Sequence, residues 1–205
     1  MIFNQKQTEI LQIAEELFSK NGFEGTSVRD IAHAASINVA MINYYFESKE
    51  NLLEIIIRRG VEAYKLDASH FNSITDPLAR LDLLIEHYID SKLSNKNVYD
   101  ILTNEAHVKK RRNNSDIFKD LRKHNIEIIR DVIEYGCQKG VFHYYDPIMI
   151  HITMIGTFMN FRNSRPIFEE MQVIPEGQDF EAYFKKTLTQ HLKFTIKAIL
   201  TNENK

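Results

Sequence analysis

Residues 22–52, GFEGTSVRDIAHAASINVAMINYYFESKENL, decide the fold of this chain. A short helix begins after Thr26 or Ser27, and Ser27 followed three residues later by Asp30 has the spacing of a capping box. Ile31 and Ala32 are its inward-facing residues, and Ala35-Ser36-Ile37 is a tight turn. Asn38 is a good N-cap for a third short helix over residues 39–45. Glu47-Ser48-Lys49-Glu50 opens a fourth helix, with Ser48 as its cap. Upstream, Ile10, Leu11, Ala14, Leu17 and Phe18 recur at helical spacing between Thr8 and Lys20. Asn21-Gly22 ends that first helix, glycine being free to take a left-handed cap conformation. Three short helices in the first 46 residues, the second and third joined by a tight turn, describe a helix-turn-helix.

The specific string says more. Phe18, Gly22, Phe23, Thr26, Ser27, Ile31, Ala32, Ala35, Ile37, Ile42, Tyr44, Tyr45, Phe46, Ser48, Lys49 and Leu52 together resemble the N-terminal domain of TetR-family regulators. The resemblance covers about a quarter of the chain; the rest is similar to the family only in helical layout. It implies an all-α protein: a three-helix helix-turn-helix DNA-binding domain at 1–46, then a larger helical effector-binding and dimerisation domain at 47–205. It also implies a dimeric, sequence-specific transcriptional regulator, a repressor as a rule, released by a small effector, and not an enzyme. The local departures are Ser36, Asn43 and Met41, where the family often has Gly, Tyr and a small polar residue.

The residues support a groove-reading role on their own chemistry. Ile42 and Phe46 can face the core, with Val39 nearer the edge, leaving Asn38, Ala40, Met41, Asn43 and Tyr44 for the major groove. Asparagine can pair with adenine, and Ala or Met can touch a thymine methyl; capping and base contact are both open to Asn38. Thr26, Ser27, Tyr44, Tyr45 and Lys49 offer hydroxyl or ammonium groups for phosphates, beside the N-terminus of the fourth helix, and Arg29 adds a local cation. Charge runs the other way: residues 1–50 hold four basic and seven acidic side chains, a net of −3.

Downstream, the fourth helix is predicted over about 49–71, with Leu52, Leu53, Ile56, Ile57, Val61 and Tyr64 on a broad apolar face. Further helices are predicted over about 77–93, 98–109, 116–139, 147–162 and 180–200, with Pro77 suited to a first turn and Gly140 to an ending. The helix at 147–162 is apolar nearly all round, which marks burial in a core or between subunits. Phe184, Leu188, Leu192, Thr195 and Ile199 are the expected stripe of the last helix, and 163–179 is read as a long connection. Homodimerisation is expected through the helices near 147–162 and 180–200, with Gly156 permitting close approach. Lys109-Lys110-Arg111-Arg112 is read as a solvated basic loop.

Composition bounds the alternatives. The chain has 205 residues, 43% hydrophobic and 26% charged, with net charge −2. That balance excludes intrinsic disorder, and no run approaches the ~18 apolar residues of a membrane span. The first residues lack the pattern of a secretion signal, and one cysteine, Cys137, excludes a disulfide framework; a cytoplasmic location is expected. No histidine pair has metal-site spacing, and no nucleophile or phosphate-loop motif is present, so neither metal nor cofactor is expected. Aromatic and methionine residues are frequent after residue 87, and an apolar effector could lie among them. Tyr88, Tyr99, His107, His124, Tyr135 and Phe158 are the candidate pocket residues. Two competitors remain: a helical small-molecule carrier, and a constitutive DNA-binding module without an effector.

Overall fold

The computed structural model describes residues 3–107 and 115–202, excluding the side chains at 103–107, 115 and 117. Among these residues the regular structure is entirely helical: α1 (Gln5–Asn21), α2 (Val28–Ala34), α3 (Val39–Phe46), α4 (Lys49–Ala63), a 3-10 turn (Ala68–His70), α5 (Pro77–Ser94), α6 (Lys96–His107), α7 (Ser115–Gln138), α8 (Pro147–Asn163), α9 (Arg165–Glu170) and α10 (Phe180–Thr201).

Side-chain caps set most of these starts. The Asn4, Ser27, Asn38 and Ser48 side chains accept the backbone N–H of Gln7, Asp30, Met41 and Asn51, opening α1 to α4 in turn. Asp76, Asp146 and Asp179 do the same for α5, α8 and α10. The box at Asn4 is reciprocated by Gln7, so α1 begins at Gln5, ahead of Ile10, the first residue of the apolar periodicity.

Residues Met1–Tyr64 and Lys92–Lys119 form one compact unit; Lys65–Ser91 and Asp120–Lys205 form another. In the first, α1 packs against α2, α4 and α6 around Ile10, Leu11, Ala14, Phe18, Ile31, Ile42, Phe46, Leu52 and Ile56. A Cβ on Gly60 would lie 2.2 Å from Val98 Cγ1, so glycine is what lets α4 approach α6 this closely. In the second unit, α8 packs on α10 through Ile150, Met154 and Phe158 against Phe184, Leu188 and Leu192. Gly136 plays the part of Gly60 there, its missing Cβ leaving room for the Phe142 ring.

Three expectations are corrected. The fourth helix stops at Ala63 rather than near Phe71. Leu66 donates its N–H to Asn125 Oδ1 (2.9 Å), and its carbonyl meets His124 Nε2 (2.8 Å). Those long-range bonds engage the backbone groups that a continuing helix would need. The connection at 163–179 contains α9, held down where Phe168 lies 4.7 Å from Phe161 and 5.9 Å from Tyr183. On α10 the buried stripe continues through Ile196 and Leu200, while Thr195 and Ile199 are half-buried. The basic run at 109–112 lies outside the described residues.

Candidate nucleic-acid interface

The first unit fixes α3 by its two apolar contacts. Ile42 and Phe46 are fully buried, whereas Asn38, Ala40, Asn43 and Tyr44 are exposed and Val39, Met41 and Tyr45 half-buried. One face of an eight-residue helix is thus anchored and the other open, the arrangement a groove-reading helix requires. Tyr44 is 79% exposed. Its ring stands edge-on to Tyr45 at 5.3 Å, and Tyr45 in turn to the buried Phe46 at 6.2 Å. An aromatic relay therefore supports the most prominent side chain on the open face.

The turn before α3 is held from both sides. Ser36 takes a left-handed conformation (φ 52°), and Ile37 N–H bonds back to the Ala32 carbonyl at 2.9 Å. Lys6, on α1, donates to the Ala35 carbonyl at 3.1 Å. A shallow cleft between α2 and α3 is lined by His33, Ser36, Ile37, Asn38 and Met41. His33 and Ser36 were not among the sequence candidates. Ser36 N–H bonds back to the His33 carbonyl at 3.1 Å, a turn contact that no local sequence signal announces.

The residues expected at phosphates fare differently. Thr26 is 1% exposed, and its hydroxyl donates to the Gly22 carbonyl (2.9 Å) with the Leu17 carbonyl at 3.2 Å. In the free chain that hydroxyl closes the turn after α1. Ser27 is exposed, but its hydroxyl donates to Asp30 Oδ2 (2.7 Å) within the capping box. The Ser27 hydroxyl and backbone N–H, bonding to that carboxylate, hold Asp30 below the usual carboxylate range. Lys49 Nζ donates to the carbonyls of Phe23 (3.0 Å) and Thr26 (2.9 Å) and lies 3.9 Å from the Phe23 ring centre. Two of its three N–H groups thus brace the α1–α2 loop against α4, leaving the third. Arg29 is exposed on α2. Asn38 uses its side-chain oxygen as a cap, 2.9 Å from the Met41 N–H, and its amide N–H₂ remains on the surface.

The candidate effector residues are distributed over both units. Tyr99 belongs to the first unit; Tyr88, His124, Tyr135 and Phe158 belong to the second. His107 has its side chain outside the described set. Tyr88 and Phe158 are core residues at 1% exposure each. His124 is an exposed residue tied to the Leu66 carbonyl. Tyr135 donates to the Thr75 carbonyl (2.9 Å), and the Arg80 guanidinium stacks 3.6 Å from its ring centre. Arg80 itself bonds to the carbonyls of Asn72 and Ile74, so this pair secures the 72–76 turn. No group of three or more His, Cys, Asp or Glu suited to a metal ion occurs among the described residues.

Residues 10–56 match the family of bacterial regulatory proteins described as tetR, and residues 77–179 match the tetracyclin repressor-like C-terminal domain. NicS of Pseudomonas putida, named as an HTH-type transcriptional repressor, is 28% identical over 167 residues, 78% of this chain and 77% of NicS. YttP of Bacillus subtilis, which carries the name of an HTH-type transcriptional regulator, is 46% identical over 56 residues. That match spans 27% of each chain, little more than a quarter of the relative's length. The structure of the ketosteroid transcriptional regulator KstR2 of Mycobacterium tuberculosis superposes with a TM-score of 0.68 at 21% identity, covering 98% of both chains, a likeness of fold.

Proposed function

The chain belongs to the TetR family of bacterial regulatory proteins, and from that premise we propose that it is a homodimeric repressor, released from a palindromic operator by a small, largely apolar effector. The observation that carries the reading is α3: Ile42 and Phe46 are anchored in the core while Asn43 and Tyr44 project from the opposite face. In this reading residues 1–46 are the reader, and 47–205 bind effector and partner. Asn38, Val39, Met41 and Asn43 face base edges, while Ser27, Arg29, Tyr44, Tyr45 and the third N–H of Lys49 meet phosphates. NicS, a named repressor matched along three-quarters of its length, supports repression over activation.

The dimer reading has its own support. Ile148, Met149, Ile152 and Met159 on the outer side of α8 are all exposed within the single chain, as is Phe194 on α10. A run of large apolar residues in water is uncommon on a monomer, and α8 with α10 against the same pair of a partner would cover it. Two recognition helices so joined would sit about 34–36 Å apart to enter successive major grooves. An effector among the helices of 77–160 would act by favouring a different separation. Operator-bound and effector-bound structures with equal separations would rule this mechanism out.

No helix among the described residues is long and apolar enough to cross a membrane, which accords with the cytoplasmic location such a regulator would have. The decisive experiment is selection of a binding site from random DNA with the purified protein and with Tyr44→Ala. A palindromic site enriched by the wild type, bound at least tenfold more weakly by the variant, is the expected result. No enrichment at low salt by the folded protein would favour a small-molecule carrier.

A further inference from the structure

We propose that Lys6 and Asn51 are positioning residues for operator recognition, each clamping one end of α3 at a left-handed joint so that the pose of α3 in the groove depends on both; this rests on the operator-binding reading above. The two joints that flank α3 each hold a non-glycine residue at positive φ. Ser36, between α2 and α3, has φ 52°, and Glu47, between α3 and α4, has φ 65°. Elsewhere among the described residues only Gln172 shares that feature, so the strain is concentrated around this helix. The left-handed region crowds a Cβ, which is why glycine is its usual occupant. At Glu47 the chain also turns very tightly: ψ is −51°, and the Ser48 N–H bonds back to the Phe46 carbonyl at 2.6 Å. That is the rare, strained form of the three-residue turn. Such backbone persists only where surrounding contacts hold it in place.

The holding contact is the same at both ends. A side chain from a neighbouring helix donates to the carbonyl just before the left-handed residue. Lys6 Nζ, on α1, donates to the Ala35 carbonyl at 3.1 Å. Asn51 Nδ2, on α4, donates to the Phe46 carbonyl at 3.0 Å. These carbonyls end α2 and α3, where a continuing helix would have supplied the N–H. Each donor is itself steadied. Glu9 Oε2 accepts from the Lys6 ammonium at 2.9 Å, and the Asn51 backbone N–H is held by the Ser48 hydroxyl at 3.1 Å. The core cannot do this work alone. Ile42 and Phe46 lie four residues apart on one stripe, so they pin α3 along a line and leave rocking about that line to the joints. A recognition constellation has to be held within about 0.5 Å of its productive geometry, so a rocking helix would lose base contacts before it lost phosphate ones.

The test separates positioning from phosphate contact. Fluorescence anisotropy gives the affinity of Lys6→Met and Asn51→Leu for the operator selected by the wild type and for a scrambled duplex of equal length, with helicity followed by circular dichroism. Neither side chain belongs to the buried core, so both variants retain wild-type helicity. Each variant binds the operator roughly tenfold more weakly, the dimer losing two clamps, while scrambled-duplex affinity stays within about twofold of wild type. The salt dependence of operator binding is unchanged, because no phosphate contact is lost. Lys6→Arg, which keeps a donor, retains operator affinity. Relaxing a joint lessens the need for its clamp: Lys6→Met costs less than about threefold in a Ser36→Gly background, and Asn51→Leu does likewise with Glu47→Gly. Equal losses of Lys6→Met on operator and scrambled DNA, with a salt slope shallower by about 2 for the dimer, would make Lys6 a phosphate ligand and overturn its positioning role. Operator affinity unchanged in both variants overturns the clamps and leaves the reading of α3 intact. A folded wild type that enriches no site overturns both.

Discussion

At the scale of single residues, the side chains that serve this fold are those whose polar atoms are already engaged. Thr26 and Lys49 look alike in sequence, two polar residues near a helix-turn-helix. One is buried with its hydroxyl bonded inside the turn, and the other braces two carbonyls while keeping an N–H in reserve. Lys92 is a buried cation on α5. Burial pushes its ammonium pKa down from the ordinary value to about 8, with its Nζ 4.6 Å from the Tyr64 ring centre. Below pH 8 the lysine is charged in both folded and unfolded chains. Between about 8 and 10.5 the unfolded chain still binds the proton that the folded one has released, so stability rises with pH. Urea unfolding at pH 7 and pH 10 should show that rise. Lys92→Met should remove that pH dependence.

Elements are set by caps at their starts and by long-range contacts at their ends. Ser27, Asn38 and Ser48 begin α2, α3 and α4 where local chemistry says they should. The end of α4 depends on Asn125 and His124, more than fifty residues away, and no local signal carries that information. The glycines make the same point in a measurable way. Gly60→Ala forces a methyl into Val98 and should destabilise the first unit by about 1–3 kcal/mol in chemical denaturation. Gly156→Ala meets nothing in its own chain and should leave the single chain's stability equal or raised by up to about 1 kcal/mol. Equal losses in the two variants would remove the distinction between an internal and an external glycine.

The whole molecule brings an acidic reader to a polyanion. Over residues 1–50 the net charge is −3, and Lys49 already gives two of its N–H groups to the protein. Few phosphates can be neutralised per protomer, with Arg29 and Lys49 as the nearest cations on the reader. The logarithm of operator affinity should therefore fall with the logarithm of salt at a slope shallower than about −5 for the dimer. Fluorescence anisotropy between 50 and 200 mM salt measures it directly. A slope near −10 would show that basic segments outside the reader, such as the run at 109–112, carry the phosphate contacts.

By itself the sequence determined the all-helical class, the helix-turn-helix and its family. Those rest on signals that lie within a few residues of each other: caps at i to i+3, apolar spacing, and the run from Asn43 to Leu52. It also marked α8 as apolar all round, though not which side met the core. Tertiary structure alone decided the fates of Thr26, Tyr135 and Lys49, because a polar side chain advertises a hydrogen bond but not its partner. It alone set the end of α4, the short α9 within an expected loop, and the register that buries Ile196 and Leu200 and turns Phe194 outward. Each of these depends on which distant backbone or helix arrives alongside, and that is a property of packing rather than of any local stretch of chain.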